Sequence, residues 1–125
     1  MPRILLIEDN EMNRDMLSRR LERKGYETII AVDGQEGVEK TESEKPDLIL
    51  MDMSLPLMNG WSAIEAIKAD PDLAHIPIIG LSAHALDEER QKAFESGCDA
   101  YLTKPVDEVA LIEAIEGFIV RGEMA

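Results

Sequence analysis

The chain has 125 residues, 45% of them hydrophobic and 31% charged, the balance of one globular domain with a sizeable core rather than of a disordered segment. Its 26 acidic against 13 basic residues leave a net charge of −13, so it lacks the basic footprint that nucleic-acid binding requires. A single cysteine, Cys98, excludes an intramolecular disulfide, and no stretch approaches the roughly 20 apolar residues of a membrane span. With no signal-peptide pattern at the N-terminus, we expect a cytoplasmic protein, monomeric by default, filled by one domain over residues 1–125.

Apolar runs alternate with amphipathic segments along the chain. Ile4 to Ile7 reads as a strand, stopped by Glu8-Asp9-Asn10. A helix is predicted from about Glu11 to Lys24, with Met12, Met16, Leu17 and Leu21 near helical spacing and Gly25 as its C-terminal stop. Arg19, Arg20, Arg23 and Lys24, interrupted by Glu22, complement the dipole at the end of that helix. A docking patch for an acidic partner is the competing reading of the same cluster.

Glu27 to Ala31 reads as the second strand, Asp33-Gly34 as a turn signal and Gln35 to Ser43 as the second helix. The third strand is predicted at Asp47 to Met51, followed by a loop with Pro56 and Asn59-Gly60 and a helix over Trp61 to Lys68. Ile78 to Leu81 is the fourth strand, Asp87 to Ser96 the fourth helix with Gly97 as its stop, and Ala100 to Leu102 a short fifth strand. Asp107 then caps a last helix reaching about Val120.

Strands with continuous apolar runs, each followed by a helix, imply an α/β fold whose parallel sheet is covered on both faces. Right-handed crossovers restrict the topologies, and a doubly wound (βα)5 sheet in the order 2-1-3-4-5 is the leading one. Sites in such sheets lie beyond the carboxyl ends of the strands, at the topological switch point. Glu8-Asp9 end the first strand, Asp52 the third, Ser82 the fourth and Thr103-Lys104 the fifth.

Neighbouring first and third strands would gather Glu8, Asp9 and Asp52, three carboxylates that repel one another unless a cation intervenes. Mg2+ suits such an oxygen-rich pocket, with Lys104 balancing further charge and Ser82 offering a hydroxyl. The set fits phosphoryl transfer to a carboxylate. Each residue also has an ordinary reading: Asp9 or Asn10 as a helix cap, Lys104 on the surface, Ser82 in a turn.

The order and spacing of Glu8-Asp9, Asp52, Pro56, Gly60, Ser82-Ala83, Tyr101 and Lys104-Pro105 resemble the receiver domains of two-component response regulators over essentially the whole chain. The fold of that family is flavodoxin-like. The resemblance implies that Asp52 is the phosphoacceptor and that Asp9, Asp52 and the backbone carbonyl of Ser54 bind Mg2+ (or Mn2+ in its place), with Glu8 acting mainly through water. It implies that Lys104 pairs with Asp52 and later with a phosphoryl oxygen, and that Ser82 moves to the phosphoryl group while Tyr101 turns from exposed to buried. It further implies a cis Lys104-Pro105 bond and a tuning of phosphoryl lifetime by Ser54 and His84.

The run Glu8-Asp9-Asn10, with Asn13 three residues on, and the segment Asp72 to Pro77 resemble receivers of hybrid kinases and of stand-alone regulators. A histidine kinase or a histidine phosphotransfer protein is the partner that the resemblance implies. A receiver of this kind is a signalling protein and no enzyme beyond its own phosphorylation and dephosphorylation.

Three other readings compete. A hydrolase of the haloacid-dehalogenase type needs a second aspartate two residues after the nucleophile, where this chain has Ser54. A flavodoxin-like electron carrier needs a phosphate-cradling loop where Glu8-Asp9 would repel the phosphate. An unphosphorylated adaptor ordinarily lacks part of the acidic set or the lysine, all of which are present here. His75 reads as a loop residue and Trp61 as a partly buried helix anchor.

Overall fold

The computed structural model describes residues 2–53, 60–82 and 87–124, except the side chains of residues 60, 87–89 and 120–124. Its elements are β1 (Arg3–Ile7), α1 (Glu11–Arg23), β2 (Glu27–Ala31), α2 (Gly34–Glu44) and β3 (Leu48–Asp52). They continue with α3 (Gly60–Ala69), β4 (Ile78–Ser82), α4 (Asp87–Glu95), β5 (Ala100–Thr103) and α5 (Glu108–Met124). The strands form one sheet in the order β2-β1-β3-β4-β5 with every pairing parallel.

The middle strands explain the unbroken apolar runs. All five residues of β3 and of β4 are buried, because helices cover both faces of the sheet. Alternation then sorts the side chains between two cores. Leu5, Ile7, Ile49 and Met51 pack with Ala63, Ile64 and Ile67 of α3 and Ala93 of α4. Ile4, Leu6, Leu48 and Leu50 pack on the other face with Leu17 and Leu21 of α1 and Leu111, Ile112 and Ile115 of α5.

Helix α1 is strongly charged and is held to the sheet by Leu17 and Leu21, four residues apart on one stripe. Burying two leucines contributes roughly 3–6 kcal/mol before the cost of ordering the helix. Its arginines do more than complement a dipole. Arg20 donates to Val106 O at 3.3 Å and Arg23 lies 3.7 Å from Glu108, which ties α1 to the start of α5.

Two local readings change. Asp33-Gly34 is no free-standing turn: the Asp33 side chain accepts from Glu36 N at 2.8 Å and caps α2, with Gly34 as its first residue. The third, fourth and fifth strands each run one residue past the predicted apolar run, so that Asp52, Ser82 and Thr103 are their last residues. The glycine stops hold, with Gly25 at φ 91° and Gly97 at φ 114°, backbone conformations that other residues rarely adopt.

Candidate functional site

Strand register assembles the acidic cluster. Ile7 is level with Met51, so Glu8 and Asp52, the next residues, reach the sheet edge side by side. Asp52 is level with Leu81, and Ser82 with Thr103, so Ser82 and Lys104 follow at the same edge. Backbone bonds continue the ladder there: Glu8 N to Ala31 O at 3.1 Å, Met53 N to Leu81 O at 2.9 Å and Lys104 N to Ser82 O at 2.6 Å. This is the switch point, where the chain passes from one side of β1 to the other.

Carboxylate oxygens of Glu8, Asp9 and Asp52 lie within 4.8 Å of one another. Glu8 is fully buried and Asp52 is 3% exposed, whereas Asp9 stands open to solvent. The Lys104 ammonium reaches in from the end of β5. It sits 3.5 Å from Asp52 Oδ1, but its nearer partner is Glu8, with Oε2 at 3.1 Å and Oε1 at 3.3 Å. The Lys104–Pro105 peptide bond is cis.

One ammonium therefore faces three carboxylates. Partial desolvation raises the pKa of the largely exposed Asp9 above its ordinary 3.8; the hydrogen bond and charge of Asp52 raise it further, and a backbone hydrogen bond and Lys104 pull it back only in part. Excess negative charge on a hard, all-oxygen donor set is what Mg2+ prefers, and the residues fit that ion. Glu8, Asp9 and Asp52 are the residues that could hold it.

Ser82 is buried at the end of β4, 2% exposed. Tyr101 is half-buried and packs against the core on the α3 and α4 face. A Cβ on Gly80 would press on Cys98 Sγ and Met53 Sδ, each at 3.2 Å, and would reach the Tyr101 ring only at 3.4 Å, so the glycine makes room chiefly for the two sulfurs. Ser54 and His84, with Pro56, Asn59 and Ala83, lie outside the described residues. His75 is exposed in the turn before β4, and Trp61 packs against the core with Lys92 Nζ 4.4 Å from its ring centroid.

Two further residues hold the cluster, and strand-end position alone does not point to them. Asn13 donates through Nδ2 to Glu8 Oε1 at 3.3 Å. Arg14 donates to the carbonyls of Glu8 and Asp9, each at 3.1 Å. The signal is the helix start itself: Asn10 caps α1 by accepting from Asn13 N at 3.0 Å, so the side chains of the first turn face back towards the loop.

The family model for the response regulator receiver domain matches residues 4–116. The chain belongs to the response regulator receiver family. Polar-differentiation response regulator DivK of Brucella anthropi is 36% identical over 116 residues, 93% of this receiver and 94% of the relative. A CheY-like response regulator receiver protein from Methanospirillum hungatei has a TM-score of 0.89 at 34% identity, covering 99% of this receiver and 98% of that chain.

The receiver domain of a sensor histidine kinase from Pseudomonas aeruginosa, with a magnesium ion coordinated in its active-site cleft, has a TM-score of 0.88 at 35% identity. It covers 94% of this receiver and 97% of the other chain. The fold, strand order and family thus agree with the reading of the residues, and the chain is a receiver domain of two-component signalling. No helix among the described residues of this receiver is long and apolar enough to cross a membrane.

Proposed function

We propose that this receiver accepts a phosphoryl group on Asp52 from a phosphohistidine of a histidine kinase or phosphotransfer protein, with Mg2+ bound. The observation that carries the reading is the buried Asp52 carboxylate at the switch point, grouped with Glu8 and Asp9 and flanked by Lys104. An Asp52 oxygen forms the new bond to phosphorus, the P–N bond to the donor imidazole breaks, and the imidazole leaves with a proton. Mg2+ supplies charge neutralisation for the phosphoryl oxygens, and Mn2+ with the same oxygen preference would substitute. Lys104, already at Asp52, takes a phosphoryl oxygen as a second cationic partner.

Ser82 follows as hydrogen-bond donor to the phosphoryl group, and Tyr101 moves with it in a two-state equilibrium read out on the α4, β5 and α5 face. Ser54 and His84 set the lifetime of the phosphoryl group. The protein so described is a cytoplasmic monomer that catalyses only its own phosphorylation and dephosphorylation, and it passes its signal by protein contact.

Intact-protein mass spectrometry after incubation with Mg2+ and acetyl phosphate tests the reading. One added phosphoryl group, absent in Asp52→Asn and with a chelator, is the expected result. No adduct with acetyl phosphate or with a phosphohistidine donor would leave the receiver an unphosphorylated adaptor.

A further inference from the structure

Glu8 is a buried carboxylate whose two oxygens both face Lys104, a long side chain on a flexible stem. A lysine alone holds a carboxylate loosely, since its ammonium is a point charge without a fixed fork. The second donor to Glu8 Oε1 is Asn13 Nδ2, and it comes from a rigid place. Asn13 lies in the first turn of α1, where its backbone N–H is occupied by the Asn10 cap. Its side chain is left to reach back to the loop.

Arg14, the next residue, holds the backbone carbonyls of Glu8 and Asp9. The acidic pair is thus tethered twice, by Arg14 at the main chain and by Asn13 at the Glu8 side chain. The amide is neutral. It fixes the rotation of the carboxylate without cancelling the negative charge that a divalent cation needs, which an arginine or lysine in its place would do.

We propose that Asn13 is a positioning residue for cation binding: it holds the Glu8 carboxylate in the orientation from which Glu8, through water, supports Mg2+ on Asp9 and Asp52. The inference rests on the Mg2+ site proposed above and adds to it a neutral residue in the first turn of α1. Glu8 keeps Lys104 as a partner when Asn13 is shortened, but the carboxylate loses its fixed direction. Asn13→Ala also keeps the backbone N–H that Asn10 accepts, so the helix cap survives the substitution.

Calorimetric titration of the full chain with MgCl2 compares wild type, Asn13→Ala, Asn13→Gln and Asn10→Ala, with folding and thermal midpoints followed by circular dichroism. Asn13→Ala is expected to weaken Mg2+ binding about tenfold, the lower end of what loss of a partner to a metal-supporting side chain costs. Asn13→Gln, whose longer amide still reaches back to the loop, is expected to recover most of that loss. Asn10→Ala, which removes the cap alone, is expected to lower the thermal midpoint and leave the Mg2+ affinity in place.

Mg2+ affinity of Asn13→Ala within about twofold of wild type would overturn the inference while leaving the metal site standing. So would an affinity loss that Gln does not recover and Asn10→Ala reproduces, since that pattern belongs to helix stability. Should Asn13→Ala not fold, Asn13→Ser replaces it, and the same two results overturn the inference. A wild-type chain that binds no Mg2+ would overturn the metal site itself, and is told apart by the wild-type titration alone.

Discussion

Charge decides the behaviour of single residues at the edge of the sheet. Asp9 faces Asp52 with Lys104 engaged chiefly by Glu8, and its pKa is raised by partial desolvation first and by Asp52 second. The sign of the consequence follows from linkage. A carboxyl whose folded pKa is raised supports the fold below its unfolded pKa, and that contribution is lost as pH rises through the folded value. Ionised Asp9 therefore opposes folding of the metal-free protein above the ordinary carboxyl pKa of 3.8. Asp9→Asn is expected to raise the metal-free thermal midpoint by a few degrees at neutral pH, with the advantage fading towards acid pH. Mg2+, bound at the proposed site, is expected to stabilise wild type and to stabilise the variant far less. Thermal melts with and without Mg2+ across pH check both; a variant less stable than wild type in metal-free buffer would contradict the repulsion.

At the scale of elements, close approach governs where the helices sit. Gly37 lies on the face of α2 that meets β1, and a Cβ there would collide with Ile7 Cδ1 and come within 2.9 Å of Cγ1. Ile7 is fully buried, so it has no free space to yield into. Alanine would gain up to about 1 kcal/mol in helix propensity, but overpacking costs about 1–3 kcal/mol and displaces the strand whose end carries Glu8. Gly37→Ala is expected to lower the urea midpoint, and Ile7→Val, which removes Cδ1, is expected to lessen the effect in the double variant. Equal losses with and without Ile7→Val would place the strain elsewhere. The Asp33 cap next to this contact belongs to the same element, and it reads as a turn in the sequence because Asp-Gly serves both roles.

For the whole molecule, the sheet separates two cores and joins the proposed acceptor edge to the face proposed for readout. Ser82 ends β4 directly beside β5, its backbone carbonyl accepts from Lys104 N, and Gly80 two residues earlier is level with Tyr101 of β5. One strand pair thus connects the proposed phosphoryl site to the half-buried tyrosine without any intervening loop. Ser82→Ala and Tyr101→Phe are expected to accept phosphate from acetyl phosphate and to lose most of the phosphorylation-dependent change in partner binding. Hydrogen exchange on α4, β5 and α5, with and without phosphorylation, is the measurement. A full exchange response in both variants would rule out coupling through these two side chains.

The amino-acid sequence by itself determined the alternation of strands and helices, the strand order and the gathering of Glu8, Asp9, Asp52, Ser82 and Lys104 at one edge. The alternation follows from local periodicity, while right-handed crossovers only narrow the topologies, with 2-1-3-4-5 the leading order and also the order of the family that the motif residues resemble. What only the tertiary structure decided is which partner each polar group takes. Lys104 lies nearer to Glu8 than to Asp52, Asn10 rather than Asp9 caps α1, and Asn13 and Arg14 hold the acidic pair from the helix side. The arginines at the end of α1 bridge to the segment leading into α5, 86 residues away for Arg20 and Val106. Periodicity fixes the face on which a side chain stands, but a hydrogen bond depends on tenths of an ångström and on bond angles set by packing between distant segments, and no local pattern encodes them.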